Sequence, residues 1–389
     1  MKNHIPINFE WHSDSIFVDF FDSTDLTHNK LFLLGQKYGV SANTVTIHKL
    51  LAYLHKNSEV RYLMMEVSYS IGLMINDYLK NGDKKILVHA LWNCKKIFTR
   101  EYFDFFIRLR EFNLNVGEDN AVEVVGINYI GGYEADFWVL NKIVRSKSIP
   151  ADVYPTLVKT FYIYGDLKNR LEKDSVRVDS FLMVLKKFPS SSNLKLFDEF
   201  QLKSIPIGEI QVYVDFLLMD MPANTELYER FLGEDFFDFW MIIKNMRTRY
   251  DGRAQKDIVF QVNFFNLYPK LTKGNILGVL PRSYCHLNAV RFYSDQFAGD
   301  LNSLKTSPVK KKVLSIGTYY RKCRKYDSDK LYNESSVARF DVCPQRGVII
   351  YKLNEYKTQF KKKAKDFPYL IITKEQREMQ WLRPRYWNN

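Results

Sequence analysis

Residues Lys30–Lys56 read KLFLLGQKYGVSANTVTIHKLLAYLHK. Leu31, Leu34 and Tyr38 give the opening segment a single apolar face at helical spacing. Gly39 can take the left-handed conformation that ends a helix and turns the chain. Ser41 is a good N-cap for a following helix, its hydroxyl free to accept the amide of Asn43 or Thr44. Ile47, Leu50, Leu51 and Leu54 then recur at i, i+3, i+4 and i+7, which predicts a second, longer helix. Its first turn carries the short side chains Ala42, Asn43, Thr44 and Thr46.

The phrase Gly39-Val40-Ser41-x-x-Thr44-Val45 resembles the turn and recognition-helix start of helix-turn-helix DNA-binding proteins. That resemblance implies double-stranded DNA as partner, with Ser41, Asn43, Thr44 and Thr46 reading base edges. His48 departs from it, standing where the pattern is usually apolar. The alternative is an ordinary helical hairpin whose polar residues belong to a core.

Charge points the same way. The chain has 389 residues, 57 Lys and Arg against 44 Asp and Glu, and a net charge of +13. Residues 305–389 hold 21 of the basic and 8 of the acidic residues, so the rest of the chain is neutral. A one-sided basic block is the electrostatic footprint of a polyanion contact. Lys310, Lys311, Lys312, Arg321, Lys322, Arg324, Lys325, Lys361, Lys362 and Lys363 are its candidate phosphate contacts.

Length and pattern suggest three domains. Residues 1–114 read as a helical bundle carrying the helix-turn-helix, including one long helix over Glu59–Lys80, and 115–256 as an α-rich middle domain. Residues 257–389 read as a basic α+β domain with strands at Ile258–Phe265, Val313–Tyr320, Val337–Val342 and Gly347–Leu353. The expected class is α+β, helix-dominated. An apolar content of 46% supports real cores, and no uncharged run of eighteen apolar residues offers a membrane span. The N-terminus lacks a signal-peptide pattern, which predicts a cytoplasmic protein. The cysteines Cys94, Cys285, Cys323 and Cys343 form no C-x-x-C pair, and the histidines form no H-E-x-x-H. We therefore expect no metal and no cofactor.

Walker, G-x-G-x-x-G and G-x-S-x-G motifs are missing. The remaining chemical candidate is Ser315–Tyr326, where Tyr319, Tyr320 and Tyr326 lie among four cations. A tyrosine attacking a phosphodiester needs cations to favour its phenolate and to hold the phosphate. Residues 291–342 loosely resemble rolling-circle replication initiators, through Arg291, Asp295–Gly299, Tyr326-Asp327-x-x-Lys330 and Ala338–Val342. His286, Arg291 and Tyr319 or Tyr320 also follow the order found in tyrosine recombinases. The expected function is a DNA-binding replication initiator or related protein of a phage or plasmid. A tyrosine-dependent nicking enzyme and a protein- or RNA-binding scaffold are the alternatives.

Overall fold

A computed structural model describes residues 4–7, 21–145, 147, 207–251, 256–288, 296–325, 328–332, 334, 347–353 and 361–382. Its centre is an eight-stranded, mostly parallel sheet. The strands are β1 (His4–Ile7), β2 (Leu31–Gln36), β3 (Val60–Ser68), β4 (Glu123–Asn128), β5 (Asn275–Pro281), β6 (Val313–Arg321), β9 (Gly347–Lys352) and β10 (Tyr369–Lys374). They lie in the order β1-β9-β10-β6-β2-β5-β3-β4. A separate hairpin pairs β7 (Cys323–Lys325) with β8 (Ser328–Tyr332). Pairing is parallel from β10 through β6, β2 and β5 to β3, and antiparallel where β9 and β1 extend the edge.

This overturns the reading of the quoted stretch. A short helix α1 (Ser23–His28) precedes it. Leu31–Gln36 is the central strand, not a helix, and each of its six residues is buried. A strand covered on both faces shows no period-2 alternation, so a run such as LFLL looks the same as one face of a helix. The second helix of the quoted stretch exists as α2 (Ala42–Ser58). The run over Glu59–Lys80 divides for the same reason as the first. VRYLMMEVS is strand β3, and the helix α3 (Tyr69–Asn81) begins only after Ser68, whose hydroxyl accepts the Ile71 amide at 3.4 Å. Residues 1–114 therefore supply two strands of the main sheet after β1 rather than a helical bundle. In the other direction, Ile258–Phe265 is not a strand but part of helix α10 (Lys256–Leu267). Val337–Val342 lies outside the described residues.

Local signals were sounder at helix ends. Gly82 closes α3 at φ 81° and Asp83 caps α4 (Lys84–Trp92) by accepting the Lys85 amide. Thr99 caps α5 (Arg100–Val116) by accepting the Tyr102 amide at 3.3 Å.

Two compact units divide the chain. The first comprises 1–66, 99–127 and 255–380, the second 67–98, 128–254 and 381–389. In the first, α2 and α5 pack together, and His48 of α2 meets the ring edges of Phe105 and Phe112. Gly35, Gly317 and Leu280 share a cross-strand row. The segment Arg282–Cys285 presses onto Gly35 and Phe367 onto Gly317, so a Cβ at Gly317 would clash with Phe367 and one at Gly35 would crowd the segment. Helices α10 and α11 (Phe297–Ser303) meet through Phe260, Phe264 and Phe297.

The second unit holds α3, α4, α6 (Tyr133–Arg145), α7 (Ile207–Ala223), α8 (Thr225–Leu232) and α9 (Phe236–Asp251). A buried ion pair stitches it. Asp136 accepts Ser70 Oγ at 2.5 Å and Arg249 Nη1 at 2.9 Å, and Arg249 also donates to the Tyr129 carbonyl. Among the described residues no helix is long and apolar enough to cross a membrane.

Candidate functional site

Parallel strands deliver their C-terminal residues to one edge. Here the connections diverge around β2. The chain leaves β2 for β3 on one side, and from β5 it returns across β2 to β6 and then outward to β10. In open α/β sheets such a divergence leaves a crevice at the strand ends, which is where ligands bind.

Lys37 follows β2, Arg282 follows β5, and Tyr319 and Tyr320 end β6. They converge on Glu334, which follows β8. Arg282 Nη2 and Nη1 donate to the two carboxylate oxygens at 2.5 and 2.9 Å. Lys37 Nζ donates at 2.7 Å and the Tyr320 backbone amide at 3.0 Å. The Arg282 guanidinium lies 3.9 Å above the Tyr319 ring and donates to the Thr318 carbonyl at 2.7 Å. Lys37 Nζ sits 5.0 Å from the centre of the Tyr332 ring. Burial alone would raise the Glu334 pKa. The hydrogen bonds and charge of Arg282, with those of Lys37, outweigh it and hold the carboxyl at about 2.

His286 comes next along the chain from Arg282–Cys285. Its Nδ1 lies 3.6 Å from Asp366 Oδ2, and its ring packs on Phe367. Asp366 is fixed in turn, because its carboxylate accepts the Asn288 amide at 3.2 Å and its carbonyl the Leu287 amide at 3.4 Å. Burial lowers the His286 pKa below the usual histidine value, Asp366 pulls it up and the Arg282 charge lowers it further. The result is a neutral imidazole at pH 7 beside a carboxylate that can stabilise it once protonated.

The C-terminal segment crosses this edge. The Ser41 amide and hydroxyl both donate to the Arg377 carbonyl, and the Met379 amide donates to the Gly39 carbonyl. Glu101 takes the Gln380 amide at 2.9 Å and pairs with Arg377 at 2.8 Å.

Three of the four residues expected to read bases, Asn43, Thr44 and Thr46, are turned inward. Ser41 caps nothing with its side chain. Asn43 is buried, donating to the Lys37 carbonyl at 2.8 Å and accepting the Tyr320 phenol at 2.9 Å. Thr44 and Thr46 are buried and return their hydroxyls to the carbonyls of Ser41 and Ala42. Buried in this way, Asn43, Thr44 and Thr46 have no edge to offer a base pair.

Among the described residues the basic side chains do not converge either. Lys310, Lys311 and Lys312 form the turn before β6, whereas Arg321, Lys322 and Arg324 lie at or beyond its far end. A nine-residue strand separates the two groups by roughly 30 Å. Lys325 is in β7 and Lys361, Lys362 and Lys363 open helix α12 (Lys361–Asp366); their side chains are not among those described. Tyr320 is fully buried and Tyr319 nearly so; burial raises both phenols, the opposite of what a nucleophile needs. Tyr326 and Arg291 lie outside the described residues.

No family model and no curated protein matches the chain. Solved structures match it over nearly its whole length, three of them at a TM-score of 0.61. A Bacillus cereus protein shares 15% identity at a TM-score of 0.61, covering 97% of this chain and 96% of its own. A succinoglycan biosynthesis protein shares 12% at 0.61, with the same coverage. An erythromycin esterase mutant in its open conformation shares 11% at 0.61, covering 95% of this chain and 97% of its own. At these identities the likeness is one of fold. Asn43, Thr44 and Thr46 are buried, the described cations are dispersed, and the fold is shared with an esterase and a succinoglycan biosynthesis protein. On those grounds the DNA-binding reading, its replication role and DNA as partner are corrected.

Sequence reasoning missed Lys37, Arg282, Glu334 and Asp366. Lys37 and Arg282 each stand just past an apolar run that is now a central strand. That position is the signal that could have found them.

Proposed function

We propose that the chain is a small-molecule hydrolase acting on an ester bond, with its substrate seated at the C-terminal ends of β2, β5 and β6. The observation that carries this reading is the convergence of Lys37, Arg282 and Glu334 where the connections of the sheet diverge, with the His286–Asp366 pair following Arg282 along the chain. The likeness of fold to an erythromycin esterase supports the choice of bond.

His286 has the properties of a general base. It is neutral at working pH and lies at ion-pair distance from a fixed carboxylate. In the proposed step the imidazole takes a proton from water as the oxygen bonds to the ester carbonyl carbon. Collapse of the tetrahedral adduct breaks the bond to the alcohol oxygen, which leaves with that proton.

The test is turnover of a panel of p-nitrophenyl and alkyl esters by wild type and His286→Ala. General base catalysis contributes on the order of 10²–10⁴-fold, and a loss of that size is expected. Equal rates in the two proteins, or turnover of no ester by wild type, would refute the reading.

A further inference from the structure

Glu334 occupies a receptor that the sheet has built for a carboxylate. Its oxygens take four hydrogen bonds from three donors, and each donor comes from a different strand end: Lys37 after β2, Arg282 after β5 and the Tyr320 amide in β6. The donors are held independently of Glu334. Tyr320 N–H belongs to the strand, Arg282 is stacked on Tyr319 and tied to the Thr318 carbonyl, and Lys37 lies over Tyr332. Glu334 itself belongs to no helix or strand of the sheet, and its amide donates to the Tyr320 carbonyl at 3.0 Å.

The receptor would be strongly electropositive without its guest, with two cations and a strand amide directed at one point. A planar guanidinium fork is matched to a carboxylate or a similar oxyanion. The Lys37 side chain is 37% exposed, so the receptor is open to solvent on that side. Arg282 and Glu334 are 15% and 14% exposed, so a carboxylate entering there exchanges water for a largely enclosed ion pair.

We propose that this is a ligand-binding site that the protein fills with its own side chain: the carboxylate of a small-molecule substrate exchanges with Glu334 on Arg282, Lys37 and the Tyr320 amide. The proposal rests on the hydrolase reading for what the bound molecule undergoes, and names the substrate class as carboxylate-bearing esters. Glu334 is then an internal competitor. The apparent affinity of the wild-type chain is reduced by the fraction of molecules in which Glu334 has left.

The experiment is calorimetric titration of the full chain with succinate, which cannot be hydrolysed, in wild type, Glu334→Gln, Glu334→Ala and Glu334→Ala/Arg282→Gln. Circular dichroism reports whether each is folded. Glu334→Ala is expected to bind succinate at least tenfold more tightly than wild type, Glu334→Gln to fall between them, and the double variant to lose binding. A folded Glu334→Ala or Glu334→Gln with no gain over wild type overturns the proposal. If neither variant folds, the wild-type chain decides: succinate must raise its melting temperature above an equal ionic strength of chloride, and no rise overturns the proposal. Binding is read without turnover. Succinate binding with no ester hydrolysis therefore sinks only the hydrolase reading, and hydrolysis without succinate binding sinks only this one.

Discussion

The Tyr320 hydroxyl donates to Asn43 Oδ1 at 2.9 Å, joining the end of β6 to the first turn of α2 across 277 residues of sequence. The same oxygen accepts the Lys37 amide at 3.1 Å. One bond thus ties two residues to which the sequence had assigned separate roles in DNA chemistry. It is a buried latch at the strand ends, holding the turn that carries Lys37.

Tyr320→Phe removes that latch and keeps the ring. It leaves Asn43 Oδ1 and the Lys37 amide buried without this partner, which costs about 1–3 kcal/mol. Urea unfolding should show that loss. Asn43→Ala should cost a similar amount, and the double variant less than the two added, because both act on one bond.

Glu334 makes stability depend on pH in acid. Its folded pKa of about 2 lies below its ordinary value of 4.5. A depressed carboxyl adds stability above its unfolded pKa and loses it as pH falls through the folded one. The contribution at neutral pH is on the order of 3 kcal/mol, lost between about pH 5 and pH 2. Unfolding curves of wild type and Glu334→Gln should differ by that order at pH 7 and draw together as the acid end of that window is approached.

His48 acts in the same direction over a higher window. Burial beside Phe105 and Phe112, followed by the charges of Arg108 and Lys49, lowers its pKa from 6.5 to about 4. The unfolded chain therefore takes up a proton that the folded one refuses, and stability falls as pH drops from 6.5 towards 4. Proton NMR should find the His48 ring neutral at about pH 5. A midpoint at the ordinary histidine value would contradict the packing described.

Gly35→Ala tests how Arg282 is placed. The new Cβ would stand 3.0 Å from Arg282 Cα and from Cys285 Cβ, so the segment must shift. Overpacking of this kind costs about 1–3 kcal/mol, measurable as a lower melting temperature. Because the displaced segment carries Arg282 and leads into His286, ester turnover should fall with it. Unchanged turnover would separate that segment from the chemistry.

The helix boundaries at Gly82, Asp83 and Thr99 were legible because they are written locally: Asp83 and Thr99 each cap the helix that follows them, and Gly82 closes α3. The strands Leu31–Gln36 and Val60–Ser68 were not, because burial on both faces erases the alternation that marks a strand. The site was harder still. Lys37 lies hundreds of residues from Arg282 and Glu334, no motif joins them, and only the order of parallel strands makes them neighbours.

The sequence by itself determined the helix boundaries at Gly82, Asp83 and Thr99, that the chain holds enough apolar residues for real cores, and that its basic excess gathers in the last 85 residues. Tertiary structure decided what those features mean. It made Leu31–Gln36 the central strand, because a β neighbour on each side satisfies its backbone and both of its faces are buried. It sent Asn43, Thr44 and Thr46 into the core and set the lysine cluster and the arginines at opposite ends of β6. The cationic cluster it assembled at the strand ends draws on residues far apart in the chain, because a parallel sheet brings strand ends together regardless of their distance in sequence.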